Sequence, residues 1–222
     1  MNLETDYQDK HTGETCVIIG NGPSLKNTPL AFLKKYPTFG TNRIYLLKDF
    51  TATYYACINP LVIQQSRDEI NAYKAKTKFV AEAHAGDIHG SYGLVSTGAQ
   101  LFSFNPAAYV YEGFTVTFVC LQLAFFMGFE TVLLVGVDHK YKTDGTPNQE
   151  TTWQGDDPNH FSPEYFKGTK WNNPDLVRST QAYQLAEKAF RENGRRIVNL
   201  TPGTALEVFK KESIQKWLKP QK

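Results

Sequence analysis

The sequence predicts an α/β fold of Rossmann-like type: a mostly parallel sheet with helices on both faces and a long lid segment. Three observations predict it. Short apolar runs alternate with helical patterns along the chain, the order that builds a parallel sheet. The first run, Cys16-Val17-Ile18-Ile19, stops abruptly at Gly20-Asn21-Gly22-Pro23-Ser24. Residues 139–178 lose all periodicity yet stay rich in aromatic side chains, which marks a lid that folds against something rather than an ordinary loop. With 222 residues and 41% hydrophobic content there is enough chain for a sizeable core. Residues 1–222 therefore read as a single nucleotide-binding α/β domain with a lid at 139–178.

The elements follow in order. Residues 1–13 are polar and read as loosely held. A buried strand at 15–19 precedes a helix at 29–35 with Pro29 in its first turn. Short strands follow at 38–42 and 53–58, the second rich in β-formers. Pro60 opens a helix with packing positions Leu61, Ile63, Ile70 and Tyr73, and 78–81 reads as a fourth strand. Residues 83–113 carry five glycines and read as irregular. At 115–127, Val116, Val119, Cys120, Leu123, Phe126 and Met127 recur at helical spacing, with Gly128 as the stop. A central strand at 131–135 ends in Gly136-Val137-Asp138. After the lid, Ser179 caps a helix to residue 193, Gly194 stops it, and a strand at 196–200 leads to a helix at 206–218.

Charge and composition exclude several classes. The 24 basic and 22 acidic residues leave a net charge of +2 with mixed signs, so no polybasic surface for nucleic acid or anionic membrane is implied. Cys16, Cys57 and Cys120 lie in apolar runs without C-x-x-C spacing, which points to buried reduced thiols in a reducing compartment. The opening Met-Asn-Leu-Glu-Thr-Asp lacks signal-peptide character. The longest apolar stretch, 114–128, is too short to span a bilayer and carries Gln122. The expected location is cytoplasmic, with at most peripheral contact at the inner membrane, and no integral membrane segment or nucleic-acid partner. The aromatic loops at 101–111 and 161–171 offer subunit or acceptor contacts, compatible with a homo-oligomer.

Polar clusters stand directly after five of the apolar strands, and in a parallel sheet such ends share one edge. Asn21, Asn42, Asn59, Asp138 and Asn199 are thus candidates to line one crevice. Gly20 and Gly22 permit close backbone approach, and Ser24 adds a hydroxyl. Neutral amides carry donors and acceptors and suit a base and ribose better than a bare phosphate; each Asn is equally a good turn residue. The turn is neither G-x-x-x-x-G-K-[ST] nor G-x-G-x-x-G. Thr115 and Thr117 open the buried helix, as an anion site or as simple caps.

Among titratable residues, His160 lies within Asp156-Asp157-Pro158-Asn159-His160 and is a candidate general base. Glu164 is the competing base. His139 and Tyr141 follow the strand-end Asp138 and are further catalytic candidates. Asp138 with Asp156 and Asp157 offers oxygen ligands for Mg²⁺, although the Asp-Asp-Pro-Asn run is also an ordinary turn. His84 and His89, beside Glu82 and Asp87, lack the spacing of a known metal site, and no residue is assigned to a metal in the leading reading. G-x-S-x-G and H-E-x-x-H are absent from the sequence.

The runs Val-Ile-Ile-Gly-Asn-Gly-Pro-Ser-Leu (17–25), Thr-Asn-Arg-Ile-Tyr (41–45) and Tyr-Tyr-Ala-Cys-Ile-Asn-Pro (54–60), then 115–128 and Val-Gly-Val-Asp (135–138), resemble the bacterial sialyltransferases that use CMP-sialic acid. The likeness covers most of residues 15–210. Tyr-Glu-Gly-Phe-Thr-Val-Thr (111–117), Gly-Val-Asp-His (136–139) and Asn-His-Phe-Ser-Pro-Glu-Tyr-Phe (159–166) resemble a broader family that was defined without a function. That family includes motility-associated glycosyltransferases that modify flagellin and archaeal enzymes that pyrophosphorylate 6-hydroxymethyl-dihydropterin. The sialyltransferase likeness implies that Asn21 and Ser24 contact the cytidine nucleotide and its phosphate. It implies that Asn42 and Asn59 approach ribose or donor sugar, and that Thr115 lies near the sugar carboxylate or phosphate. In that family the base is a lid histidine a few residues after a His-Tyr pair. Here His160-Phe161 matches the pair, and Glu164 falls where the base would be. His139, Lys140 and Tyr141 stand near the tyrosines that assist the leaving phosphate.

The leading expectation is a glycosyltransferase that moves a sugar, such as a nonulosonic acid, from a CMP-activated donor to a glycan or protein acceptor. His160 would take the acceptor proton, Lys140, Tyr141 or the helix start at Thr115 would stabilise the leaving phosphate, and no cofactor would be required. The alternatives are an ATP- and Mg²⁺-dependent pyrophosphokinase acting on a 6-hydroxymethylpterin-like alcohol, and a non-catalytic nucleotide-binding module.

Overall fold

Eight short strands lie side by side in one sheet, and every neighbouring pair is parallel. The computed structural model describes residues 2–218. The strands are β1 (Thr15–Ile19), β2 (Thr38–Thr41), β3 (Tyr54–Cys57), β4 (Thr77–Ala81), β5 (Ser91–Leu94), β8 (Thr131–Val135), β11 (Arg196–Asn199) and β12 (Lys210–Lys211), in the order β12-β11-β8-β1-β2-β3-β4-β5. The order runs outward from β1 through β2 to β5 on one side and through β8 on the other. The direction of winding therefore reverses between β1 and β8, the point at which open α/β sheets bind ligands. The central strands are apolar on both faces, as burial under helices on both sides requires. Cys16 and Ile18 join one core, while Val17 and Ile19 join the other.

The first core lies under α1 (Leu3–Tyr7), α5 (Val116–Phe126) and α6 (Leu176–Glu192); the second lies under α2 (Leu30–Leu33), α3 (Pro60–Gln65), α4 (Arg67–Ala72), α7 (Ile214–Leu218) and the lid aromatics. Helix α5 is apolar all round and buried along nearly its whole length. Its one polar interior side chain, Gln122, is fully satisfied: Oε1 accepts from the N–H groups of Ser103 and Tyr111, and Nε2 donates to the carbonyls of Tyr111 and Phe118. Among the described residues no helix is long and apolar enough to cross a membrane. All three cysteines are free and buried, and burial pushes the Cys57 thiol up to about 12.

Several elements differ from expectation. The N-terminal residues are not loose. Asn2 caps α1, Leu3 and Tyr7 are buried, and His11 stacks on Phe129 at 4.4 Å with Nε2 2.6 Å from the Tyr54 hydroxyl. The helix expected at 29–35 shrinks to α2, preceded by a 3₁₀ turn, Pro23–Asn27, and the helix from Pro60 breaks at Ser66 into α3 and α4. Residues 83–113 are not irregular throughout. They supply the edge strand β5 and the small parallel pair β6 (Ser96–Thr97) and β7 (Val110–Tyr111). The lid holds an antiparallel pair, β9 (Glu150–Thr152) with β10 (Lys170–Asn172). Asp175, not Ser179, caps α6, because its carboxylate accepts the Arg178 N–H at 3.0 Å. The expected C-terminal helix is cut short by β12 and survives only as α7.

Candidate functional site

At the winding reversal the chain brings two glycines back to back. A Cβ on Gly20 would lie 2.5 Å from the Gly136 carbonyl oxygen, and Gly136 has φ +67°. A Cβ on Gly22 would overlap the Asp138 carboxylate. With no side chains between them, the ends of β1 and β8 close together, and Gly22 N–H donates to Gly136 C=O at 2.8 Å. Above this junction opens a cavity of about 720 Å³, large enough for a nucleotide and a sugar.

The strand ends supply its floor. Asn21 Nδ2 donates to Thr41 at its carbonyl (3.0 Å) and its hydroxyl (2.9 Å), which leaves Asn21 Oδ1 buried without a partner. Asn42 sits at φ +49°, a conformation Asn tolerates, with its N–H on Ala56 C=O and its Oδ1 likewise buried and unpartnered. Asn59 Oδ1 accepts from Leu61 N–H at 2.9 Å and so caps α3, while Nδ2 reaches Asn172 in the lid. Thr115 caps α5 through Thr117 N–H (3.3 Å) and lies 3.3 Å from the Tyr183 hydroxyl. Both threonines line the cavity at this helix start, where Thr115 acts as the cap.

The lid forms the roof. Phe161 N–H donates to the Asn21 carbonyl at 2.9 Å. Buried Arg43 reaches up from the end of β2. Its N–H donates to the Tyr165 hydroxyl (3.2 Å), its guanidinium donates to the Tyr165 carbonyl and to Gln65 Oε1 (2.7 Å), and it lies over the Phe166 ring at 4.9 Å. His160 lines the cavity under this roof. Its Nδ1 is 2.8 Å from Asp157 Oδ2, and its ring stacks on Tyr165 at 4.0 Å with planes 4° apart.

The other titratable residues near the cavity take different roles. Thr180 Oγ1 has one hydrogen, and this is directed at the Leu176 carbonyl at 2.7 Å. The 2.8 Å contact with His139 Nε2 is therefore donated by the histidine, which fixes an Nε2–H tautomer. Burial holds His139 below its ordinary pKa. Tyr141 stands at the cavity edge, and desolvation there, with Tyr183 and the Asp138 and Asp157 carboxylates nearby, pushes its phenol above the usual range.

Of the expected site residues, the fold gathers Gly20, Asn21, Asn42, Asn59, Thr115, Thr117, Asp138, His139, Tyr141 and His160 around one cavity. Five expectations are corrected. Glu164 is exposed and lies outside the cavity lining, in a turn where its N–H meets Ser162 Oγ. Ser24 does not line the cavity; its N–H (3.3 Å) and hydroxyl (2.7 Å) both donate to the Asp138 carboxylate. Asp138 is thereby engaged in holding the 3₁₀ turn, although it remains at the cavity wall. Asn199 is 1% exposed and caps its own turn through Thr201 N–H. Lys140 points away, onto the Gly203 carbonyl at 2.7 Å. The Mg²⁺ set also fails to assemble, since Asp156 is exposed and paired with Lys167 while Asp157 is taken by His160. Among the described residues no three His, Cys, Asp or Glu side chains are grouped to hold a metal. Arg43 and Tyr165 as the lid's fastening were not expected from the sequence, and Asp157, a candidate Mg²⁺ ligand only in the alternative reading, pairs instead with His160 three residues on.

The chain matches the model of the family described as 6-hydroxymethylpterin diphosphokinase MptE-like, over residues 2–144. Among solved structures, the MAf glycosyltransferase from Magnetospirillum magneticum AMB-1 superposes with a TM-score of 0.61 at 15% identity, covering 94% of this chain and 35% of that one. This chain thus spans roughly a third of that protein's length. The sialyltransferase CstII from Campylobacter jejuni, solved in complex with the substrate analogue cytidine-5'-monophosphate, superposes with a TM-score of 0.54 at 13% identity, over 91% of this chain and 86% of that one. At these identities the likeness establishes the shared fold. No curated protein sequence matches the chain.

Proposed function

The chain belongs to the MptE-like family, and, from its cavity and the fold it shares with two glycosyltransferases, we propose that it is a glycosyltransferase whose donor is a CMP-activated sugar of the nonulosonic acid kind. One observation carries the reading. Two neutral amide oxygens, Asn21 Oδ1 and Asn42 Oδ1, are buried without donors at the floor of a cavity sited on the winding reversal. An unmet enclosed acceptor is unfavourable by about 1–3 kcal/mol; both side chains line the cavity, and a turn of either amide brings its oxygen within reach of the exocyclic amine or ribose hydroxyls of a cytidine nucleotide. Neither oxygen suits a bare phosphate, which has only acceptors. At the start of α5 the Thr115 and Thr117 side chains line the cavity and offer hydroxyls to the phosphate.

In the reaction the acceptor oxygen bonds to the anomeric carbon as that carbon's bond to the CMP phosphate oxygen breaks. CMP leaves with the bonding pair, and the acceptor proton passes to His160 Nε2. Tyr141, whose phenol stays protonated, donates a hydrogen bond to the departing phosphate in this reading. The lid aromatics exclude water that would otherwise hydrolyse the donor. The acceptor, a glycan or protein, enters through the open side of the cavity.

The family's description favours a second reading, diphosphate transfer from ATP with Mg²⁺ to a pterin-like alcohol. The Asp138, Asp156 and Asp157 set does not converge to hold that ion. Thermal unfolding separates the two. CMP at a hundred times its Kd should raise Tm by about 5–10 °C, whereas ATP with Mg²⁺ should leave it unmoved. H160A should lower transfer by about 10²–10⁴-fold and keep the CMP shift. A shift with ATP and Mg²⁺ alone would move the assignment to diphosphate transfer.

A further inference from the structure

We propose that Asp157 is a positioning residue that fixes His160 as the Nδ1–H tautomer and leaves Nε2 as the proton acceptor facing the cavity. The inference rests on the proposed transfer reaction for its kinetic consequence, but the geometry stands without it. Asp157 Oδ2 lies 2.8 Å from His160 Nδ1, and the two side chains are only 2% and 9% exposed. Asp157 Oδ1 already accepts the Asn159 N–H at 2.8 Å. A buried carboxylate with both oxygens turned toward nitrogen needs hydrogen on each. If Nδ1 carried its lone pair, two lone pairs would face each other across 2.8 Å in a site that water does not reach. The Nδ1–H tautomer removes that conflict, stabilises the buried carboxylate and orients the ring. Nε2 has no hydrogen-bond partner among the described residues.

The rest of the surroundings hold this pair rigid. Asp157 N–H donates to Pro163 C=O at 2.8 Å, which closes the turn on which both side chains stand. Asn159, between them, exchanges two hydrogen bonds with the backbone of Lys142, at 2.7 and 2.9 Å. Phe161 N–H is fastened to the Asn21 carbonyl. Tyr165 covers one face of the imidazole in parallel contact, and Phe166 and Trp171 meet it edge-on. A base held this tightly loses little orientational freedom when the acceptor arrives. A turn built only for structure has no need of a histidine whose second nitrogen is left open to a cavity.

The test reads the tautomer directly. In uniformly ¹⁵N-labelled wild-type protein at neutral pH, His160 should give the ¹⁵N pattern of an Nδ1–H, Nε2-unprotonated ring. D157N keeps an oxygen for the Asn159 N–H and so preserves the turn, but its amide can donate to Nδ1. This variant should shift His160 toward the Nε2–H form and lower kcat for transfer by about 10²-fold, with KM for the CMP donor within about twofold. A wild-type His160 resting as Nε2–H overturns the proposal, whether or not D157N folds. D157N with unchanged tautomer and unchanged kcat overturns it too. The expected tautomers in a protein that transfers no sugar from any CMP donor would support Asp157 as the positioning residue and defeat the donor reading alone.

Discussion

Gly136 illustrates how a single position can carry the site. Its φ of +67° is a conformation that disfavours any side chain, and a Cβ there would drive into the Gly20 carbonyl. G136A should therefore destabilise the protein by about 2–4 kcal/mol, read as a lower urea midpoint. G86A, at a glycine with nothing within 4 Å of its would-be Cβ, should stay within about 0.5 kcal/mol of wild type. Equal midpoints for the two variants would deny the close approach of β1 and β8. Other cavity residues share the strained backbone region: Asn42, Phe114 and His139 all have positive φ without being glycine. At this scale the sequence was partly legible. Asn21, Asn42 and Asn59 could be read because each stands where an apolar run ends, and a parallel sheet must bring such ends together. Ser24 and Asp138 obey the same rule yet spend their hydrogen bonds on each other, 114 residues apart, and Asn199 spends its own on its turn; nothing local in the sequence separates a side chain that faces a ligand from one that holds the scaffold. Arg43 was invisible as a fastening because its partners lie 22 and 122 residues away.

The central strands were legible as elements for the same physical reason that they are central. Buried on both faces, they read as unbroken apolar runs. The edge strands were not. β5 is Ser-Tyr-Gly-Leu and β12 is Lys-Lys, so neither shows a run, and both pair only because a neighbouring strand offers a template. β12 also explains why the expected 206–218 helix fails, since its two lysines extend alongside Val198 and Asn199. The junction between β12 and α7 is then held by Glu212. Its carboxylate accepts from Lys216 Nζ (2.8 Å) and Trp217 Nε1 (3.0 Å) and pairs with Lys210 at 3.0 Å. The hydrogen bond from Lys216 chiefly, aided by Lys210 and Trp217, lowers the carboxyl to about 2 against a reference of 4.5. A carboxyl whose pKa falls on folding adds stability that is present above its unfolded value and is lost as pH drops through the folded one. E212Q should accordingly destabilise by about 1 kcal/mol at neutral pH, a modest figure because such pairs are partly screened by water. The gap between variant and wild type should narrow steadily between pH 4.5 and 2. Urea midpoints that differ by the same amount at pH 7 and pH 2.5 would assign the effect to packing of α7 instead.

For the molecule as a whole, the sheet supplies a rigid floor and the lid a roof of two unlike halves. Residues 157–173 are packed, with Phe161, Tyr165, Phe166 and Trp171 buried in the second core and Arg43 fastening them to β2. Residues 140–150 form an exposed strap held by hydrogen bonds rather than by apolar packing: Lys140 to Gly203, Lys142 to Asn159, and Asp144, Thr146, Asn148 and Gln149 to Asn173. Yet Tyr141 and Asn148 on the strap line the cavity. Local opening requires little free energy where few apolar contacts break. Amides of the strap should therefore exchange hydrogen far faster than those of β1 and β8, and the packed half of the lid should fall between. A ligand seated beneath the strap contacts both halves and so selects the closed arrangement. Hydrogen exchange measured with and without saturating CMP should show protection concentrated at 140–150 and at the start of α5, by more than about tenfold. The strands should change only to the extent that global stability rises. Uniform slowing across sheet and strap would mean that CMP acts through global stability alone, and slowing confined to the β4–β5 edge would place the nucleotide at the opposite end of the cavity.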